Sequence, residues 1–485
     1  MSLSNYGDKM ENNTITCCLP IEIKSRELDA RLFLACELAR AGFTCLLGSK
    51  SVVHRRMGNM APFLYFDKGL TPAQRDFCED IHRNGGFIIN LDEEGGIIEK
   101  GMFTFIARYP EELVPFYDMY FLWGHALKEC LLENRKSVDA TRLFVTGHPR
   151  FDLRKKKYEV LYKEKADLLR EKYGNYILVN TSFAYANHVL GYEKGIRALP
   201  GHFGNEDHRK DGIDKAYYRL VQYYVVGAIL HIAEQHPDIR IVVRPHPSEL
   251  VRFYEDVFSG HDNISIIQEG CVQEWNMSAL VVIHHDCTTA VEAAFSGIPT
   301  ISYCPIRDNN FAPELPMLVS DVASSEAELM RLVDKYISER RERDILEEKK
   351  DIIRPWIANV DYDAATRIAS CLAEKKLFFV EESKKRIARH GSQRVRKISM
   401  YALLGSIRLL ARRIANRCCV WDVTERMRRR EYACQKMPGI EKDELESKIS
   451  SLAQINPEFA HIVVERLDAD GFRISRASTE YNHSQ

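Results

Sequence analysis

The chain has 485 residues, 45% of them hydrophobic and 28% charged, with a formal net charge of −1. That length exceeds one ordinary core and points to two domains plus an appendage. Modest Gly and Pro content excludes collagen-like repeats and long disorder, and the balanced charge argues against a wholly nucleic-acid-binding chain. The 13 cysteines contain no C-x-x-C spacing, and the adjacent pairs Cys17-Cys18 and Cys418-Cys419 cannot readily bridge to themselves, which fits a reduced, intracellular protein. The polar N-terminus is not that of a signal peptide. The longest apolar helical run, residues 223–232, falls short of the roughly 18–20 residues of a membrane span.

In chain order, ITCCLPIE reads as a short buried strand, residues 27–40 as a helix stopped by Gly42, and FTCLLGS as a second strand. This β-loop-α-β rhythm marks a parallel sheet. It recurs with a helix over 71–84, the strand GFIINL, a helix over 110–117, DMYFLWG, a helix over 126–133 and RLFVTG. The first domain is expected over 14–153, ending after GHPRFDL, with a charged helical connector over 154–172. A second series begins at NYILVNTSFAYANH and continues through a long helix (215–235), IRIVVRPHP, NISII, ALVVIHH, the helix TTAVEAAFSG and IPTISY. A helix over 361–375 is expected to close this second domain, 154–374. Two Rossmann-like halves facing a cleft follow, an α/β architecture, with a basic helical extension and small cap over 375–485.

Ligands of open parallel sheets bind beyond the carboxyl ends of the strands, so the polar residues there are the candidates. PIEIKSRE places Glu22 and Glu27 after the first strand, with Ser25 also suited to capping. NLDEEGG puts Asp92, Glu93 and Glu94 side by side. Clustered like charges repel, so the motif is either a solvated loop or a tuned catalytic carboxylate. GHPRFD holds His148, Arg150 and Asp152, readable as a turn with an internal Arg–Asp pair. In the second half, Asn180, Thr181 and Ser182 offer small polar groups at a strand-to-helix turn, and Arg244, His246 and Pro247 offer a stiff cationic loop suited to phosphate. His284, His285 and Asp286 precede Thr288, Thr289 and Glu292, which also read as a capping box. Metal ligation by His284, His285 and Asp286 needs a third ligand at workable geometry, and neighbouring strand residues point oppositely. No metal and no cofactor beyond the donor substrate is expected.

Taken in order, PIEIKSRELDAR, LDEEGG, GHPRFD, VNTSFAYANH, RPHPSE and HHDCTTAVEA-x-x-SGIP-x-IS resemble the bacterial surface carbohydrate biosynthesis protein family, over about residues 15–305. The resemblance implies a GT-B glycosyltransferase related to transferases of CMP-activated Kdo and nonulosonic acids of the pseudaminic type. It implies a His-Pro motif, here His246-Pro247, and a Ser/Thr cluster, here Thr288 and Thr289, at the CMP phosphate. It leaves the first-domain carboxylate open among Glu22, Glu27, Asp92, Glu93 and Glu94. The acceptor would be a lipid-linked or oligosaccharide precursor of capsule or lipopolysaccharide. Rival readings are a UDP-sugar or CDP-polyol donor, a non-hydrolysing epimerase, or a non-catalytic assembly protein.

Between Lys375 and Lys436, Lys and Arg outnumber Asp and Glu more than threefold. Within it, Leu403, Ile407, Leu410 and Ile414 form one apolar stripe beside Arg408, Arg412, Arg413 and Arg417, an amphipathic basic helix. It would rest on the anionic inner face of the cytoplasmic membrane or pack on the core. Nucleic acid is not expected, since no groove-reading pattern accompanies the charge.

Overall fold

A computed structural model describes residues 14–58, 60–96, 102–191, 208–306, 314–339, 345–390 and 432–477. The basic segment expected to form a membrane-facing helix over 401–417 lies outside the described residues.

The first sheet contains β1 (Thr16–Ile21), β2 (Thr44–Ser49), β3 (Phe63–Asp67), β4 (Gly86–Asn90), β5 (Met119–Leu122) and β6 (Leu143–Val145). The second contains β7 (Tyr176–Asn180), β8 (Arg240–Arg244), β9 (Ile264–Ile266), β10 (Ala279–His284), β11 (Thr300–Tyr303) and β12 (Asp321–Ala323). Every pairing among these twelve strands is parallel. Strands such as TCCLPI and YILVN are buried along their whole length because helices cover both faces of a parallel sheet, which is why they read as unbroken apolar runs.

The second sheet runs β12-β11-β10-β7-β8-β9, the strand order of a Rossmann unit, with its switch point between β7 and β10. The first runs β2-β1-β3-β4-β5-β6 and reverses between β1 and β3. The chain is thus an α/β protein built on two Rossmann-like parallel sheets.

Several elements differ from the sequence-based expectation. Strands β3 and β12 and the helix Lys50–Met57 were not anticipated. The stretch over 110–117 is a turn ending in a 3-10 helix at Val114–Phe116, preceded by the helix Phe103–Ala107, since Pro110 and Pro115 interrupt a regular helix. The helix Ala364–Glu374 does not close the second domain. Ala365, Ile368, Ala369 and Leu372 pack into the first-domain core beside Leu32, Leu38 and Ala39 of the helix Lys24–Arg40. The chain therefore crosses back after its second sheet.

The tail forms a small α/β unit that is built onto the first domain. The helix Lys442–Ala453 lies on the Lys24–Arg40 helix, joined by Lys448–Asp29 and Lys24–Glu444 ion pairs. The hairpin β13 (Ile462–Asp468) and β14 (Gly471–Arg476) extends the first sheet antiparallel to β2, so that the β2 edge is paired rather than open.

GHPRFD fixes this return. Asn359 accepts from the His148 backbone N–H at 3.1 Å and donates to Asp152 at 2.6 Å. Asp152 also accepts from the N–H groups of Ala364 and Ala365 at the start of the returning helix, both at 2.9 Å. Gly147 has φ +78° and lies against the Asn359 side chain. An alanine there would be strained and would overlap Asn359. Gly147→Ala should therefore lower stability by about 2–4 kcal/mol, read as a drop in urea midpoint; an unchanged midpoint would show that this crossing is loosely held.

Candidate functional site

The five first-domain carboxylates divide into two groups. Glu93 is fully buried: Arg31 Nη2 lies 3.1 Å away, Arg150 Nη2 2.6 Å and His148 Nε2 3.5 Å. Burial alone would raise its carboxyl, but His148, Arg31 and Arg150 hold it well below the usual carboxylate range. Asp92 is buried against Arg108 at 2.5 Å and accepts from the Glu94 N–H. Glu27 is buried too, accepting the Glu22 N–H at 2.8 Å and pairing with Lys68. These three are committed to holding the loops.

Glu22 and Glu94 each keep 36% of the side chain exposed. Glu22 sits between Lys50 and Lys68, at 2.8 and 2.7 Å. Burial pushes its carboxyl up, yet the two lysines bring it to about 2. Glu94 pairs with Arg26 at 3.0 Å, which outweighs burial and, with Arg108, also brings it to about 2.

The two glycines after Glu94 answer a packing demand. A Cβ on Gly95 or Gly96 would come within 3 Å of the Trp123 ring, whose Nε1 donates to the Asp92 carbonyl at 2.7 Å. The internal Arg150–Asp152 pair read from GHPRFD does not form: Arg150 turns to Glu93 and Asp152 to the returning helix.

At the second-domain strand ends, several expected ligand groups are occupied. Thr181 Oγ1 donates to Glu249, which also accepts from the Phe183 N–H and Tyr254 Oη. Burial pushes Glu249 up to about 7 against those hydrogen bonds. Ser182 Oγ donates to the His285 carbonyl at 2.6 Å. Arg244 donates to the carbonyls of Glu269 and Gly270 and lies 5.1 Å from the Trp275 ring centroid, so its guanidinium is already engaged. Glu292 is buried between Arg154 at 2.7 Å and Arg150 at 3.9 Å. It locks the domains together where a phosphate ligand was expected. Thr289 donates to Cys287 Sγ, and His284 pairs with Ser320. Asn180 keeps a buried Nδ2 without a partner among the described residues. Thr288 stands at the N-terminus of the seven-residue helix Thr289–Phe295 without a side-chain capping hydrogen bond, so the capping box read from sequence does not form, and its Cγ2 lies 3.7 Å from where a Cβ on Gly96 would stand.

His246 is half-buried. Its Nδ1 accepts from the Ser248 N–H at 3.1 Å, the turn in which Pro247 sits. This fixes the tautomer that carries hydrogen on Nε2. Burial, then Arg26, Lys436 and His188, lower its pKa to about 4 against the pull of Glu94. His246 is therefore a neutral donor, not the cation expected from sequence. The same set of neighbours brings Arg26 and Glu94 of the first domain opposite a second-domain loop.

The sequence reading missed the groups that the tail contributes. Tyr432 Oη lies 3.0 Å from Ser248 Oγ and its ring is edge-on to His188 at 5.9 Å. Lys436 Nζ sits 4.3 Å over the Tyr432 ring. The only sequence signal was their place at the end of a basic run. A separate depression beside β6, lined by His125, Lys128, Arg354 and Arg367, contains none of the candidate residues.

No family model matches the chain, and neither does any curated protein. Among solved structures, UDP-GlcNAc 2-epimerase of Methanocaldococcus jannaschii superposes with a TM-score of 0.45 at 14% identity, over 74% of this chain and 99% of its own. The wall teichoic acid polymerase TagF gives 0.45 at 12% identity, over 78% and 91%. UDP-GlcNAc 2-epimerase of Neisseria meningitidis gives 0.45 at 12%, over 75% and 99%. Among the described residues no helix is long and apolar enough to cross a membrane.

Proposed function

We propose that the chain is a GT-B glycosyltransferase that moves a sugar from a nucleotide-activated donor to a surface-carbohydrate acceptor. The donor favoured by the RPHPSE and HHDCTTAVEA resemblance is a CMP-activated ulosonic acid, Kdo or a nonulosonic acid. The observation that carries this reading is the placing of a neutral His246 donor opposite the Arg26–Glu94 pair, with Lys436 beside it.

In that arrangement Arg26, Lys436 and the His246 Nε2–H neutralise charge developing on the departing phosphate. Glu94 stays ionised at neutral pH. A carboxylate of such low basicity suits stabilisation of, or attack on, an oxocarbenium-like centre better than proton abstraction. Glu94→Gln should lower turnover about 10²-fold or more with the protein still folded. Full activity of that variant would move the role to Glu22.

The donor is tested by thermal shift with CMP, UDP and CDP-glycerol. Stabilisation by CMP alone supports the CMP-sugar reading. A response to UDP, the nucleotide of the epimerase neighbours, or to CDP-glycerol would reassign the donor, and no response to any of them would favour an assembly protein. Contact of the basic segment with an anionic leaflet belongs to the same proposal. Binding to anionic vesicles should fall with salt and with removal of residues 384–436.

A further inference from the structure

We propose that His285, Asp286 and Cys304 form a binding site for one thiophilic divalent cation, best matched by Zn²⁺. The three follow adjacent parallel strands, His285 and Asp286 directly after β10 and Cys304 directly after β11, with His284 in register with Ser302. Their ligand atoms all lie within 4.8 Å of one another. The sequence reading lacked a third ligand because it looked along one strand. His284 does point elsewhere, to Ser320, and the third ligand comes from the neighbouring strand.

The imidazole is held as a metal-bound one is. His285 Nδ1 lies 2.9 Å from the Tyr303 carbonyl, so Nδ1 carries the hydrogen and Nε2 is left for an ion, the usual outer-shell arrangement of a ligating histidine. Asp286 supplies the second indication. Its side chain is 97% buried (3% exposed), yet neither carboxylate oxygen has a hydrogen-bond partner among the described residues. His285 Nε2 stands 2.9 Å from Oδ2 as an ion pair that does not meet hydrogen-bond geometry. Two ligands of one ion stand at such a separation, and neither carboxylate oxygen has a well-directed hydrogen-bond donor to satisfy it otherwise.

The backbone of Asp286 has φ +53°, a left-handed conformation that a non-glycine residue adopts at a cost and that local function can justify. Ser182 Oγ fixes the preceding carbonyl. One nitrogen, one carboxylate and one thiolate select zinc or cobalt over magnesium or calcium and leave a fourth position open. The Tyr217 hydroxyl, 3.4 Å from His285 Nε2, lies beside it.

The site does not depend on the identity of the donor, and no transfer step is routed through it. The test uses the full chain, expressed with zinc, dialysed against a weak chelator and measured for bound metal. About one equivalent should remain, and replacement by Co²⁺ should give a near-ultraviolet thiolate band. Cys304→Ser should abolish that band, Asp286→Asn should weaken Zn²⁺ binding at least tenfold, and Cys371→Ser, a distant thiol, should leave both intact. Folded wild-type protein that retains no zinc and shows no thiolate band with Co²⁺ would overturn the proposal and leave His285 and Asp286 as an ion pair only. A band lost equally in Cys371→Ser would overturn the ligand assignment.

Discussion

Glu93→Gln is expected to unfold the protein at markedly lower temperature, and to do so before any question of turnover arises. Glu93 is the anion between Arg31, Arg150 and His148, all of them buried. Removing one member of a buried ionic cluster strands the others, at a cost of roughly 3–5 kcal/mol. That corresponds to a fall of roughly 3–10 °C in Tm, the lower figure if all 485 residues unfold together. The network continues through Arg150 and Arg154 to Glu292 on the second domain, so loosening should spread across the cleft. Adding Arg150→Met to Glu93→Gln should recover part of the loss, because the stranded cation goes with it.

Acidity gives an independent check on the same residue. The Glu93 carboxyl ionises well below its unfolded value of 4.5. A depressed folded pKa contributes stability that is present above the unfolded value and is lost as the pH falls through the folded one. Wild-type stability should therefore decline on acidification below about 4.5 more steeply than that of Glu93→Gln. A variant with wild-type Tm and lost turnover would return Glu93 to the catalytic role that the LDEEGG motif suggested.

His246→Ala should leave the fold intact and remove most nucleotide affinity. A hydrogen bond to a charged phosphate contributes about 1.5–3 kcal/mol, equivalent to roughly 10- to 150-fold in Kd. Turnover should fall further if the bond strengthens as the phosphate departs. The neutral state of His246, with its pKa near 4, adds a pH signature. A donor whose phosphate is a diester does not itself titrate near neutrality, so its affinity should be flat between pH 6 and 8. A steady loss of affinity over that range would mean that a protonated His246 is the binding form. Unchanged affinity in both His246→Ala and Thr288→Ala would remove this loop from the donor site.

The β-loop-α-β rhythm of both halves was legible because buried parallel strands leave continuous apolar runs such as TCCLPI and ALVVIH. The helix ends after them carry capping and turn residues. Strands β3 and β12 escaped, since FLYFD and DVA are short and periodicity does not separate such segments from loops or helix turns. The helix Ala364–Glu374 was legible as a helix, but its apolar stripe names no partner. Only the folded chain shows it crossing back to the first domain.

The site divides in the same way. Sequence alone determined which polar residues stand at strand ends, because strand period and topology place them there. Which of those side chains stay available was decided by tertiary structure: Arg244, Glu292 and Glu93 are spent on partners 25 to 138 residues away, while Glu94 and His246 come within electrostatic reach of one another. Lys436 and Cys304 joined their clusters for the same reason. The strength of a charge or ligand interaction depends on distance and burial, and for groups on different strands those are set by how the chain packs, not by spacing along it.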